Sequence, residues 1–441
     1  MLAPIPRRIA VSTIKAVRGM NDILPDRTPL WQRLENTARV VLQSYGYEEI
    51  RLPILEQTVL FERSIGEATD IVQKEMYTFT DRNGDRLSLR PEGTAGTVRA
   101  VLQHNLFRNQ AQRLWYLGPM FRRERPQKGR YRQFYQIGAE AFGMSGPDID
   151  AELIILTRRL WHLLGLRSLR LEINTLSTAT PRARFREDLI SYFSANAEKL
   201  DEDSRRRLQS NPLRILDSKT PELQELIQGA PTFERYVDPE SGKHFRQLRD
   251  ILEHNDIDYQ VNPRLVRGLD YYSKTVFEWL TTELGAQGAV CGGGRYDGLM
   301  EHFGGEPTPA VGFAIGMDRL IELLSETPQN DLARGGNEPH LYLIVGGDKH
   351  YGSAMRLAES VREAIPQIRL VTHCGSDSFK SQFKRADKSG ARAALLLGED
   401  EIARGLVTVK HLRISSGQAT VAQSELIAYL QKEFASLCTP R

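Results

Sequence analysis

The stretch Leu114–Phe142, LWYLGPMFRRERPQKGRYRQFYQIGAEAF, constrains this chain more than any other. It opens apolar, turns basic in its middle and ends in apolar and polar alternation, the pattern of two strands around a loop. Side chains two apart on a strand share a face. Read through Glu124, the first strand sets Arg122 beside Glu124. The second sets Phe134, Gln136, Gly138 and Glu140 in one row. Burying such a face is costly unless a ligand pairs with it. The connecting stretch Pro126–Arg132 carries Lys128, Arg130 and Arg132, with Gly129 and Tyr131 among them. From Arg113 to Arg132, seven Lys/Arg stand against one acid, Glu124. Basic residues interleaved with an aromatic suit a phosphate backbone. A solvated charged hairpin is the alternative. The in-strand placement of Arg122 and Glu124 favours a binding face.

Composition sets the outer bounds. A length of 441 residues implies about two or three domains. With 40% hydrophobic and 26% charged residues, the chain is of the soluble globular class. A net charge of only +3 means that any nucleic-acid binding rests on local patches. The cysteines, Cys291, Cys374 and Cys438, are far apart and form no C-x-x-C pair. That favours a reducing compartment and argues against a thiolate zinc site. No run is apolar enough to span a membrane. Met1–Thr13 has Arg7 and Arg8 but no apolar stretch behind them, so it is not read as a secretory signal. The expected location is the cytoplasm.

Along the chain, the spacing of Leu30, Trp31, Leu34, Ala38, Val41 and Leu42 predicts a helix over Thr28–Tyr45, with Thr28 as N-cap and Gly46 as stop. Tyr47–Leu55 reads as an edge strand bearing Pro53. Glu75–Thr80 and Arg86–Leu89 read as strands around an Asn83-Gly84 turn. In LRPEGTAG (Leu89–Gly96), Glu92 and Thr94 share a face in extended chain, and a carboxylate beside a hydroxyl can hold an ammonium. The alternative is a helix start capped by Thr94. Asp148–Leu164 is an amphipathic helix and Leu169–Asn174 a strand. Residues 178–259 are charged and helical, an insertion that interrupts the sheet domain. Its Arg205–Arg207 run is read chiefly as a solvated face. Strand signals return at Asp258–Asn262 and Thr275–Leu280. Arg267, Tyr271 and Tyr272 cluster near Gly268 and Asp270. AVCGGGRYDGL (Ala289–Leu299) has consecutive glycines that permit a ligand close to the backbone, or simply a turn. It is neither a P-loop nor a Rossmann fingerprint. AVGFAIGMDRLIELL (Ala310–Leu324) is a strand running into a helix, with Arg319 on its first turns, where an arginine can meet phosphate. A linker, 327–339, leads to alternating strands and helices over 340–441, a small α/β domain. There, Lys380, Lys384, Arg385 and Lys388 lie on or near one helical face.

These motifs together resemble a known family. FRRE (Phe121–Glu124), the basic loop and RQF (Arg132–Phe134) resemble motif 2 of class II aminoacyl-tRNA synthetases. AVGFAIGMDRL (Ala310–Leu320) resembles their motif 3, and Trp31–Pro53 their motif 1, a dimer interface. LRPEGT (Leu89–Thr94), RLVRGLDYY (Arg264–Tyr272) and GGGRYDGL (Gly292–Leu299) are similar to sequences of the histidyl-tRNA synthetase family. The resemblance covers nearly the whole chain, in the right order. It implies an α+β fold: an antiparallel-sheet catalytic domain in two parts (1–177 and 260–326), the helical insertion (178–259) and a C-terminal α/β anticodon-binding domain (340–441).

The resemblance also implies chemistry. L-histidine and ATP, with Mg2+, would give histidyl-adenylate and pyrophosphate. The histidyl group would then pass to the terminal ribose of tRNA(His). Two anions must meet in the first step, so cationic clamps are the main requirement. Arg122 would bind the α-phosphate and the carboxylate, Arg267 would approach from the other side, and Arg319 would cover the adenine and reach the γ-phosphate. Glu124 would accept from the adenine amino group and Phe134 would stack on the ring. Glu92, Thr94 and Gln136 would take the α-ammonium. Glu140 and Tyr272 would read the imidazole, with Tyr271 and Tyr296 lining the pocket. Arg125 and Gln127 would meet the tRNA acceptor end. A homodimer through motif 1 is implied, no protein metal-ligand set declares itself, and no membrane is involved. The family pattern leads one to expect glutamate before the motif 3 arginine, where this chain has Asp318. The rivals are a non-catalytic paralogue that regulates ATP phosphoribosyltransferase, an RNA-sensing module, and a synthetase for another amino acid. The full motif set and the C-terminal domain disfavour the first, the lack of room for further domains the second, and RGLDYY with Glu140 the third.

Overall fold

The computed structural model describes residues 14–66, 69–107, 110–216, 218, 220–267, 269, 271–284, 288–326, 338–414 and 417–435. The linker read at 327–339 lies almost wholly outside them, as do Gly268, Asp270, Cys438 and residues 1–13. The chain divides into two compact units, Met1–Asn330 and Asp331–Arg441.

In the first unit the strands are β1 (Glu48–Glu49), β2 (Leu55–Gln57), β3 (Tyr77–Thr80), β4 (Arg86–Leu89), β5 (Gln112–Phe121), β6 (Gln133–Phe142), β7 (Arg170–Thr175), β8 (Gln260–Val261), β9 (Ser273–Leu280), β10 (Ala289–Arg295) and β11 (Ala310–Gly316). Eight of them form one sheet in the order β1-β5-β6-β11-β10-β9-β7-β8. Its interior pairs are antiparallel, and only the edge pairs β1/β5 and β7/β8 are parallel. A separate three-stranded sheet has the order β2-β4-β3.

The long helices bury one face of the large sheet. These are α1 (Thr28–Ser44), α4 (Pro147–Leu164), α8 (Pro239–His254) and α10 (Met317–Glu326); α2 (Thr58–Ile65), α3 (Thr94–Gln103) and α9 (Leu299–His302) complete the frame outside the insertion. Trp31, Leu34, Ala38, Val41 and Leu42 recur at helical spacing along α1 and join one core with Trp115, Ile137, Ala139, Phe277, Phe313 and Ile315 of the sheet. The insertion between β7 and β8 contains α5 (Ala179–Ser194), α6 (Glu202–Ser210), α7 (Gln224–Gly229) and the core-facing α8. Phe185, Leu189, Phe193, Ile215 and Phe233 give it a second small core.

The second unit is a five-stranded sheet, order β13-β12-β14-β15-β16, built from β12 (Leu341–Val345), β13 (Leu370–Thr372), β14 (Ala393–Leu397), β15 (Leu406–His411) and β16 (Gln418–Ala422). Helices α11 (Tyr351–Ala364), α12 (Phe379–Lys388), α13 (Glu399–Ala403) and α14 (Leu426–Glu433) accompany it. Strand β16 is short with no buried residue, helix α13 is short and acidic, and periodicity did not reveal them.

Several local expectations need correction. The first motif strand stops at Phe121, so Arg122 and Glu124 stand in the loop. The Arg122 N–H still donates to Arg132 O at 2.9 Å, but the Arg123 N–H leaves the ladder for Glu75 O. Thr28 is the first helical residue rather than the cap, and its hydroxyl donates to Leu24 O at 2.9 Å. Pro53 splits Tyr47–Leu55 into the separated strands β1 and β2. Ile71–Glu75 form a π-helical turn, so β3 begins only at Tyr77. The consecutive glycines of β10 are mid-sheet strand, not a turn.

Candidate active site

Period two along each strand divides the large sheet into a core face and an open face. The open face carries Tyr116 and Gly118 of β5, Gln136, Gly138 and Glu140 of β6, Gly312 of β11, Gly292 of β10 and Glu278 of β9. Register places them side by side: Tyr116 opposite Gly138, Glu140 opposite Gly312, Gly292 opposite Glu278. Over this face opens a cavity of about 600 Å³, a size suited to small-molecule ligands.

One end of the cavity is an array of hydrogen-bonding groups. Glu140 is only 1% exposed. Its Oε1 accepts from the Thr94 hydroxyl at 2.7 Å and its Oε2 from the Tyr296 phenol at 2.5 Å. Burial nevertheless pushes its carboxyl up to about 8. Glu92 is buried beside it and accepts from the Thr94 and Ala95 backbone N–H groups at 2.6 and 2.9 Å. It is therefore Glu92, not Thr94, that caps α3, and this leaves the Thr94 hydroxyl for Glu140. Burial raises the pKa of Glu92, and the two backbone bonds oppose it. Gln136 Oε1 is buried with no hydrogen-bond partner among the described residues, an acceptor to be filled by a ligand. Tyr271 packs against Tyr272 and Tyr296, with ring centroids 4.7 and 5.5 Å away. The Tyr116 ring lies flat on the sheet where a Cβ at Gly138 would fall 2.2 Å from it, so only glycine fits there.

The other end is cationic. The Arg122 Nε donates to Pro91 O at 2.9 Å, and its guanidinium lies 5.3 Å from the Phe134 ring centroid. Arg267 is ion-paired with Glu278 and stands 5.7 Å from the Tyr272 centroid. Its guanidinium fills the space above Gly292, where a Cβ would meet it at 2.4 Å. Arg319, on the first turn of α10, donates to Gly129 O at 3.4 Å and to Ala289 O. Burial, then the charges of Arg130 and Arg122, push Arg319 down to about 10, and burial lowers Arg122 too. For Arg267, burial is overcome by Glu278 and Tyr272, which hold its pKa above the ordinary value. Guanidiniums packed together in a half-buried cleft form a cradle for a polyanion. One cavity thus offers carboxylates and phenols to a polar cation and arginines to an anion.

The family model described as histidyl-tRNA synthetase matches residues 19–320, and one described as an anticodon binding domain matches residues 340–433. The chain belongs to the histidyl-tRNA synthetase family. A histidine–tRNA ligase of Halorhodospira halophila is 54% identical over 418 residues, which is 95% of this chain and 98% of that protein. Among solved structures, the apo histidyl-tRNA synthetase of S. aureus is 32% identical with a TM-score of 0.78, covering 95% of this chain and 99% of that one. A Bacillus halodurans protein described as an ATP phosphoribosyltransferase regulatory subunit/histidyl-tRNA synthetase shares the fold, with a TM-score of 0.61 at 22% identity over 87% of this chain and 97% of its own.

In this member of the family, Glu92, Thr94, Arg122, Glu124, Phe134, Gln136, Glu140, Arg267, Tyr271, Tyr272, Tyr296 and Arg319 all line the one cavity. Glu124 is ion-paired there with Arg130. Arg125 and Gln127 are exposed on the loop outside it, where Gln127 and Arg130 exchange backbone hydrogen bonds of 3.0 and 2.9 Å. Asp318 reaches β6 despite its short side chain: its Oδ2 accepts from Tyr135 N at 2.8 Å, which fixes the start of α10 below Arg319. Burial raises the Asp318 carboxyl to about 6. Arg130, Glu278, Arg207 and Arg214 also line the cavity, and Tyr116 is buried on the same sheet face opposite Gly138; sequence reasoning assigned none of them to the site. Tyr116 was within reach, since it continues the row of alternate residues that includes Arg122. Arg207 and Arg214 carry no local signal.

Proposed function

We propose that this cavity joins L-histidine to ATP, and that the protein passes the resulting histidyl group to the 3′-terminal adenosine of tRNA(His) for translation. The observation that carries this reading is Glu140: a buried carboxyl, already anchored by two hydroxyls, on the same sheet face as the arginine cradle.

In the first step a histidine carboxylate oxygen attacks the α-phosphorus in line with the bridging oxygen to the β-phosphate. The new P–O bond forms as the old one breaks, and pyrophosphate leaves. Arg122 and Arg267 clamp the two anions from opposite sides, and Arg319 covers the adenine and reaches the γ-phosphate. Phe134 stacks on the adenine, and Glu124 accepts from its amino group. The α-ammonium sits among Glu92, Thr94 and Gln136, whose buried Oε1 it satisfies. An imidazole N–H donates to Glu140 and the other ring nitrogen accepts from Tyr272, with Tyr271 and Tyr296 as walls. An apolar amino acid would strand these groups, a discrimination of ~10⁴ or more. In the second step the ribose hydroxyl attacks the histidyl carbonyl carbon, AMP leaves, and its phosphate takes the proton.

Mg2+ accompanies ATP in this reading and supplies charge neutralisation on the phosphates. Among the described residues no group of three or more His, Cys, Asp or Glu gathers to hold a metal ion. Arg125 and Gln127 meet the tRNA acceptor end, and the second unit reads the anticodon. A second copy covers α1 and the Pro53 segment, where Val40, Ile54 and Leu55 are exposed apolar side chains. Among the described residues no helix is long and apolar enough to cross a membrane, and we place the protein in the cytoplasm.

Pyrophosphate–ATP exchange with each of the twenty amino acids offered singly tests the reading. Histidine alone should support exchange. Exchange with another amino acid overturns the assignment of Glu140 and Tyr272, and no exchange with any of them overturns the enzyme.

A further inference from the structure

The insertion supplies side chains to the cavity that the sheet builds. Arg207 near the end of α6, Arg214 in the 3₁₀ turn Pro212–Ile215, and Ser218 just beyond all line it. The turn is anchored: Pro212 and Ile215 are buried, and Ile215 belongs to the insertion core. Arg214 therefore projects from a fixed base. Arg207 is held as well, its Nη2 lying 2.8 Å from Asp70 Oδ2. Asp70 immediately precedes the π-helical turn Ile71–Glu75, and the last carbonyl of that turn accepts from Arg123 N at 2.6 Å. A continuous line of polar contacts thus runs from α6 through Asp70 to the loop that presents Arg122.

Arg214 stands close enough to Arg130 for its charge to act there. After burial, the pull of Glu75 and the push of Arg122, Arg214 lowers the Arg130 pKa further. Arg130 follows Gly129, whose carbonyl accepts from Arg319. Arg130 in turn acts on Arg319, so the insertion guanidinium and the arginine assigned to the γ-phosphate both neighbour Arg130 in the one cavity. Like charges brought together from separate parts of the chain repel, and a bound polyanion turns that repulsion into attraction.

We propose that Arg214 is part of the activation site: from the insertion side it binds the β- and γ-phosphates of ATP and the departing pyrophosphate. Arg207, fastened to Asp70, is a positioning residue for it. The inference rests on the histidine-activating reading above, and it makes the insertion a participant in the first chemical step.

Pyrophosphate exchange on the full chain tests it, with KM measured separately for ATP, pyrophosphate and histidine, and with AMP, which lacks the outer phosphates, titrated as inhibitor. Arg214→Ala should raise KM for ATP and for pyrophosphate by ~10-fold or more while the histidine KM and AMP inhibition stay within about twofold. Arg214→Lys should recover part of the loss. Arg207→Ala should give a smaller shift of the same kind, and exchanging the charges (Asp70→Arg with Arg207→Asp) should restore it. Unchanged ATP and pyrophosphate constants in Arg214→Ala, or equal losses for AMP and histidine, overturn the proposal. A wild-type chain without histidine-dependent exchange overturns the underlying reading instead, and that result is seen before any variant is made.

Discussion

Glu140 carries two demands at once. Its carboxyl is buried, and that burial pushes its titration up to about 8 from an ordinary value of 4.5. A carboxyl raised in the folded state stabilises the fold fully below its unfolded pKa and loses that contribution as pH rises through about 8. In the proposed site histidine needs the opposite form, since its imidazole N–H would donate to a carboxylate. Histidine binding should therefore release a proton near neutrality, and the histidine KM should fall as pH rises and level off above about pH 8. Glu140→Gln removes both effects. We expect a histidine KM on the order of 10²-fold higher. Its pH dependence should be flat above the titration of free histidine, near pH ~6.5. Calorimetry in buffers of different ionisation enthalpy would count the protons. An unchanged slope in the variant would mean that Glu140 does not meet the imidazole.

At the scale of elements, the glycines of the sheet show what one sequence can and cannot disclose. The alternation of β6 made Phe134, Gln136, Gly138 and Glu140 legible as one face, and the structure keeps that row. The helix of motif 1 and the strand-to-helix passage of motif 3 were legible for the same reason, because period and composition are local. The turn reading of Gly292–Gly294 failed, because a glycine run signals a turn as readily as a strand that other side chains lie across. What fills the space above Gly292 is Arg267, from a segment 25 residues upstream. Likewise, Thr94 as a helix cap was a sound local inference that lost to a buried carboxylate two residues earlier. Gly292→Ala tests the point. All three nearest atoms to the added Cβ belong to the Arg267 guanidinium, with two at 2.4 Å, so the side chain can move without breaking the strand. The variant should fold and bind histidine, but lose ~10²-fold or more in the rate of adenylate formation, read as single-turnover kinetics. Normal single-turnover rates would remove Arg267 from the clamp.

At the scale of the whole molecule, the two units have separate cores. Leu343, Ala358, Leu395, Val409 and Leu430 form one in the second unit, with no member from the first. Every residue assigned to histidine and ATP lies in the first unit, before residue 330. Binding a long ligand through two joined modules multiplies their affinities, so removing one weakens the whole without touching the other's chemistry. A chain ended after Asn330 should therefore keep histidine-dependent pyrophosphate exchange within about fivefold of the full chain. It should lose on the order of 10²-fold or more in kcat/KM for charging tRNA(His). Of the α12 cations, Arg385 is already paired with Asp377 at 2.9 Å. Measuring both assays on one folded preparation separates the units' roles. If exchange and charging fall together, the second unit is needed for activation itself, and the separate cores do not correspond to separate tasks. If charging survives, the anticodon is not what fixes the tRNA, and recognition belongs to the acceptor end near Arg125 and Gln127.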